Sequence, residues 1–184
     1  MNKCISKTFG VLSVIVTCAG LSLVPVSEGW AQEKCKRSGV YLAQDSKYVQ
    51  QHVIDVADVP GHQVRILELR RTPSNAKANC EGLKVVESWS RGYSDYTNTN
   101  GRAWGYGIDI LEDGDKIFFQ WSGTTQSTLS SDGSKKTMYT GVNTLTGGTG
   151  KYRGIRGTGR DSAVFDPKAG FNEQQWELEY WMEN

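Results

Sequence analysis

Six glycines crowd into the fourteen residues Thr146–Gly159, and only Arg160 to Asn184 follow them. Such density works against a helix, because each glycine in a helix interior costs about 1 kcal/mol against alanine. It suits tight turns and close strand approach instead, where a missing Cβ and a positive φ are useful. Nucleotide-binding readings fail on spacing. A P-loop places a glycine five residues before its Gly-Lys pair and a Ser or Thr after it; Leu145 and Tyr152 hold those positions. Gly148, Gly150 and Gly154 are one residue too long for the dinucleotide fingerprint G-x-G-x-x-G. The set Gly147, Gly148, Gly150, Gly154 and Gly157 therefore predicts a structural connection between two late β-strands.

The rest of the chain agrees. Short runs alternate apolar and polar residues and are divided by Gly, Asn, Asp and Ser, the pattern of an all-β domain. Eight runs qualify: Arg37–Ala43, His62–Arg71, Leu83–Tyr96, Arg102–Leu111, Lys116–Ser127, Thr137–Thr146, Ile155–Phe165 and Gln175–Met182. Asn98–Gly101, Glu112–Asp115 and Ser131–Ser134 read as hairpin turns. Only Lys47–Val59 reads as a short helix. Without crossover helices, neighbouring strands pair antiparallel. The expected fold is an eight-stranded antiparallel up-and-down β-barrel, with a β-sandwich as the alternative.

The N-terminus reads as a secretory signal. Lys3 and Lys7 precede an apolar stretch from Val11 to Val26, and Gly29-Trp30-Ala31 offers a small-x-small cleavage site. This predicts a signal peptide at 1–31, a single domain at 32–184, and a periplasmic or extracellular location. The apolar stretch is too short and too polar for a comfortable span of about 20 residues, so no stable membrane insertion is expected after cleavage. Removing Met1–Ala31 takes two lysines and one glutamate, leaving nineteen basic and nineteen acidic residues. That balance argues against nucleic-acid binding. The remaining cysteines, Cys35 and Cys80, predict one disulfide in an exported chain. There is no Cys-x-x-Cys and no histidine cluster, so no metal site is expected, and nothing calls for a cofactor.

Two groups of residues could carry function. Aromatic density places Trp89, Trp104, Tyr106, Phe119 and Trp121 as candidate ligand-binding residues in an apolar interior, with Tyr139 and Trp176 as further rings that could line it, against the alternative of a filled core. By alternation, Trp104, Tyr106, Ile108 and Ile110 share one face, and Ala103, Gly105 and Gly107 the other. Glu68, in phase with Val64 and Ile66, and Glu87, in phase with Val85 and Trp89, are weak catalytic candidates. A desolvated carboxylate inside the barrel would have a raised pKa. A β-bulge, hinted at by the switch from Val64 and Ile66 to Leu67 and Leu69, or an ion pair with Arg65, Arg70 or Arg91, would turn either one outward. His52 and His62 read as solvated loop residues. No G-x-S-x-G or H-E-x-x-H pattern is present.

The segment Leu145–Gly157 resembles the late strand-turn-strand signature of the allene oxide cyclase and dirigent-protein barrel superfamily, of which the chain would be a small exported bacterial member. Gly147, Gly148, Thr149, Gly150, Tyr152 and Gly157 match its Gly-Gly-Thr/Ser-Gly-x-aromatic-x-x-x-x-Gly pattern. The resemblance implies a calycin-like barrel with an apolar cavity. It also implies cofactor-free steering of cyclisation or radical coupling of small hydrophobic molecules, and a homo-oligomer. No family catalytic residue maps onto this chain. The expected activity is binding of a small hydrophobic molecule in the lumen, non-catalytic or templating. The alternatives are a cofactor-free cyclase or isomerase using a buried carboxylate, and a structural interaction barrel.

Overall fold

The computed structural model describes residues 33–129, 131, 135–166 and 171–183. The predicted signal peptide and most of the Ser131–Ser134 turn lie outside them. Nine strands occur among the described residues: β1 Cys35–Tyr41, β2 Ser46–Asp55, β3 His62–Arg71, β4 Val85–Thr97, β5 Asn100–Leu111, β6 Lys116–Leu129, β7 Lys135–Gly148, β8 Ile155–Asp166 and β9 Phe171–Met182. They form one antiparallel sheet in the order β1-β9-β8-β7-β6-β5-β4-β3-β2. From β2 to β9 each strand pairs with its neighbour in sequence, and β1 pairs with β9.

The eight-stranded barrel is corrected on two points. The predicted helix at Lys47–Val59 is strand β2. It is an edge strand paired only to β3, and Tyr48, Val49, Val53 and Ile54 give it β-branched and aromatic character. The ladder also stays open, because β1 and β2 make no registered pair among the described residues. Side chains span the seam instead: Arg71 on β3 donates to Gln174 on β9 and lies 5.1 Å over the ring of Tyr41 on β1. The sheet is curled until its two margins meet, without closing.

Turn chemistry sets the hairpins. Asn98 and Thr99 join β4 to β5 with φ of 53° and 71°. Positive φ at both central positions is the geometry that matches strand twist in a two-residue hairpin. The glycine segment does connect β7 to β8. Gly150, at φ 50°, opens a 3₁₀ turn that buries Tyr152 completely.

That tyrosine anchors one end of the curled sheet. Val85, Leu111, Ile117, Leu145, Tyr152, Ile155 and Tyr180 pack there as the main core. The β3–β4 connection caps them and is tied to β1 by the Cys35–Cys80 disulfide, with Cα atoms 6.2 Å apart. Asn79 Nδ2 donates to the Tyr152 hydroxyl at 2.6 Å, and the Tyr180 hydroxyl donates to Glu81 at 2.6 Å. The buried phenols are thus satisfied by the cap, as buried polar groups require.

Candidate functional site: a cavity inside the curled sheet

Toward the other end, the inner face changes character. β4 presents Ser88, Ser90, Gly92 and Ser94, and β5 presents Ala103, Gly105 and Gly107. These small residues leave room that larger ones would fill. Trp121 and Phe119 reach into it from β6: a Cβ on Gly92 or Gly105 would collide with the Trp121 ring, and one on Gly107 with the Phe119 ring. The result is a cavity of about 410 Å³ lined by residues of β2 through β9. That volume lies within the ~300–1,000 Å³ usual for small-molecule sites.

The cavity has an apolar wall and a polar pole. Leu67, Leu69, Tyr96, Ala103, Phe119, Trp121 and Phe165 make the wall. The pole is a buried hydrogen-bonded chain. Arg71, 6 % exposed, donates to Ser90 Oγ at 3.2 Å and to Gln174 Oε1. Gln174 Nε2 in turn donates to Asp161 Oδ2. Burial pushes the Asp161 carboxyl up to about 6, while Arg71, Gln174 and Asn143 pull the other way. Burial also raises the Tyr139 hydroxyl, and the Asp161 charge adds to that shift. Asp109, deeper on β5 beside Ser88, is likewise raised by burial. A low-dielectric setting disfavours each charged form.

The sequence candidates divide between the two faces. Phe119 and Trp121 line the cavity. Trp89, Trp104 and Tyr106 do not. Trp104 and Tyr106 stand on the outer face at 45 % and 62 % exposure, and Trp104 stacks on Tyr93 at 5.8 Å. Trp89 lies between the guanidinium groups of Arg70 and Arg91, at 5.6 and 4.9 Å. Glu68 and Glu87 are outside as well. Glu68 accepts from Arg91 at 2.6 Å, and Glu87 accepts from Arg70 at 2.5 Å and from Trp89 Nε1. These partners hold Glu87 below the usual carboxylate range. The register of β3 against β4 is continuous from His62 to Arg71, so no bulge turns β3; the nearby shift is on β2, between Tyr48 and Gln50. On β4 the register against β5 shifts between Val85 and Glu87, and this irregularity takes Glu87 out of phase with the buried Val85; on β3 and β5 the outer face carries Val64, Ile66, Trp104 and Tyr106, so alternation alone pointed the wrong residues inward.

His62 is not a solvated bystander. Its Nδ1 lies 2.5 Å from Asp58 and its Nε2 2.8 Å from Asp95. Both carboxylates raise its pKa, and the imidazolium that they favour ties the β2–β3 turn to β4. Gly61, beside it, lines the cavity.

The residues that sequence reasoning missed are Arg71, Asn143, Asp161 and Gln174; Tyr139, one of the aromatic candidates, does line the cavity. A signal for Asp161 was present: it falls in phase with Ile155, Gly157, Gly159 and Ala163, the small and apolar face of β8.

Fold and site together define an antiparallel single-sheet β protein with an internal cavity of small-molecule size. No family model, no curated protein and no solved structure matches the chain.

Proposed function

We propose that this is an exported protein that holds a small, largely hydrophobic molecule inside its curled sheet. The observation that carries the reading is the cavity itself, with its aromatic and aliphatic wall and its buried polar pole. Phe119 and Trp121 supply stacking area, and the pole orients the ligand. The disulfide supports an oxidising compartment. The likeness of the glycine loop to the allene oxide cyclase and dirigent-protein signature supports the same class of ligand. The seam between β1 and β2 makes this a variation on the expected barrel, and an interior site needs no closed ladder.

One observation favours a second reading, a cofactor-free cyclase or isomerase. Asp161, in the cavity with its pKa pushed to about 6, has the character of a proton carrier near neutral pH. Glu68 and Glu87, held in ion pairs on the outer face, do not serve it.

The test is native mass spectrometry of the secreted protein, purified without denaturation and then extracted under denaturing conditions. A small molecule should be released from the wild type, lost from the double variant Phe119→Ala/Trp121→Ala, and retained by Trp104→Ala/Tyr106→Ala. The reverse pattern in folded variants would move binding to the outer face and overturn the proposal.

A further inference from the structure

The polar pole carries more than a generic affinity for small molecules. Three of its atoms make no hydrogen bond of good geometry within the described residues, although Asn143 stands close enough to the Asp161 carboxylate to lower its pKa: Arg71 Nε, Tyr139 Oη and Asp161 Oδ1. Their residues are 6 %, 7 % and 6 % exposed, and all three line the cavity. Buried polar groups are rarely left unpaired, and a set that converges on one cavity points to what the cavity receives. Two of the atoms share one small space. A Cβ on Gly141 would collide with Tyr139 Oη and would stand 2.8 Å from Asp161 Oδ1. The absence of a side chain at Gly141 is what lets both oxygens occupy it.

We propose that the cavity recognises an uncharged head group that both donates and accepts hydrogen bonds, such as an alcohol or a primary amide, and discriminates against carboxylates. The inference rests on the cavity-binding reading above and names its ligand class. A hydroxyl head meets the two oxygens that share this space: it donates to Asp161 Oδ1 and accepts from Tyr139 Oη. A carboxylate does not. It has no proton to give Asp161 Oδ1, and it brings a like charge beside that carboxyl.

The surrounding charges agree. Arg71 is faced by Asp161 from β8 and by Asp109 from β5, so the pole holds no surplus of positive charge. Tyr41 and Tyr48 flank it with their pKa values raised by burial. Arg65, the other cation lining the cavity, is occupied by Ser94 Oγ, Gln51 Oε1 and the rings of Tyr48 and Tyr96. His62, with Asp58 and Asp95, stands beside Gly61 at the turn end.

Isothermal titration with decan-1-ol, decanoate and decane-1-sulfonate tests this. At pH 7.5 the alcohol should bind about tenfold more tightly than either anion, the cost of one like-charge contact. Asp161→Asn should bring alcohol and anions to within about twofold, because the repelling charge is gone. In the wild type, the sulfonate stays ionised throughout and should bind more tightly at pH 5 than at pH 7.5, since Asp161 takes up a proton near pH 6. His62→Gln should keep that pH dependence and Asp161→Asn should lose it. The wild-type pH profile decides the matter if the Asp161 variant fails to fold. Decanoate binding as tightly as decan-1-ol at pH 7.5 overturns the head-group inference and leaves cavity binding standing. Absence of heat with all three probes overturns both.

Discussion

The two ends of the curled sheet are built from the same nine strands and solve opposite problems. At the capped end, large side chains fill the interior: Leu111, Tyr152 and Ile155 are 1 % exposed or less, and the cap satisfies the phenols. At the cavity end the same strands carry Ser, Ala and Gly on the inner face, and the remaining polar atoms are not all paired. The first arrangement maximises buried area and dispersion contacts. The second gives up packing to keep a shaped, partly polar interior. Stability and binding are thus separated along the strand axis.

Removing the cap's tether should give the largest effect. The Cys35–Cys80 bond spans a sequence separation of 45, and in the chain-entropy model its loss costs about 4 kcal/mol. Cys35→Ser/Cys80→Ser should lower the urea midpoint accordingly, whereas an unchanged midpoint would show that the cap is held by Asn79 and Glu81 alone.

Asp161 comes next, through pH. Its folded-state pKa of about 6 lies above the ordinary aspartate value of 3.8. The native state therefore binds the extra proton between those values, and stability falls as pH rises through that window, by about 3 kcal/mol in all. Urea unfolding of Asp161→Asn across this range should lack that part of the slope; equal slopes in wild type and variant would mean that the carboxyl is not buried as described.

A pair of leucines measures the contrast directly. Leu111, in the main core, and Leu69, on the cavity wall, are both buried. Leu111→Ala should cost about 3 kcal/mol and Leu69→Ala about 2, because a side chain packed on one side loses fewer contacts. Equal losses in chemical unfolding would erase the distinction between the two ends.

The smallest effect belongs to His62. Its pKa is raised, so the stability it contributes is fully present below about 6.5 and is lost as pH rises through the folded value. Because its partners Asp58 and Asp95 are exposed and the pair is screened by solvent, it should shift the thermal midpoint only slightly. His62→Gln should flatten the profile above that pH, and a parallel profile would show that the Asp58–His62–Asp95 contacts contribute nothing.

Much of the fold was legible in the sequence. Strands β3 to β9 fall where alternation and turn residues place them, and the glycine loop connects β7 to β8. Strand β2 was missed because its apolar residues fall in adjacent pairs, Tyr48-Val49 and Val53-Ile54, without strict alternation, and pairing with β3 decides its state. The site was half legible. Phe119, Trp121 and Tyr139 were found, while Trp89, Trp104, Tyr106, Glu68 and Glu87 were assigned to the wrong face. Alternation states which residues share a face and is silent on which face is interior. On β5 the cue was inverted: Trp104 and Tyr106 are outside, and Gly105 and Gly107 are inside to admit rings from β6.

The sequence by itself determined the strand order along the chain, the antiparallel hairpins and the cysteine pair, because these follow from local periodicity, turn conformation and composition. Only the tertiary structure decided that β1 would cross to β9, that the sheet would curl without closing, and that Arg71, Tyr139 and Asp161 would meet. Those three sit on β3, β7 and β8, and their meeting depends on sheet curvature and on the small residues opposite them, which no local pattern along one strand encodes.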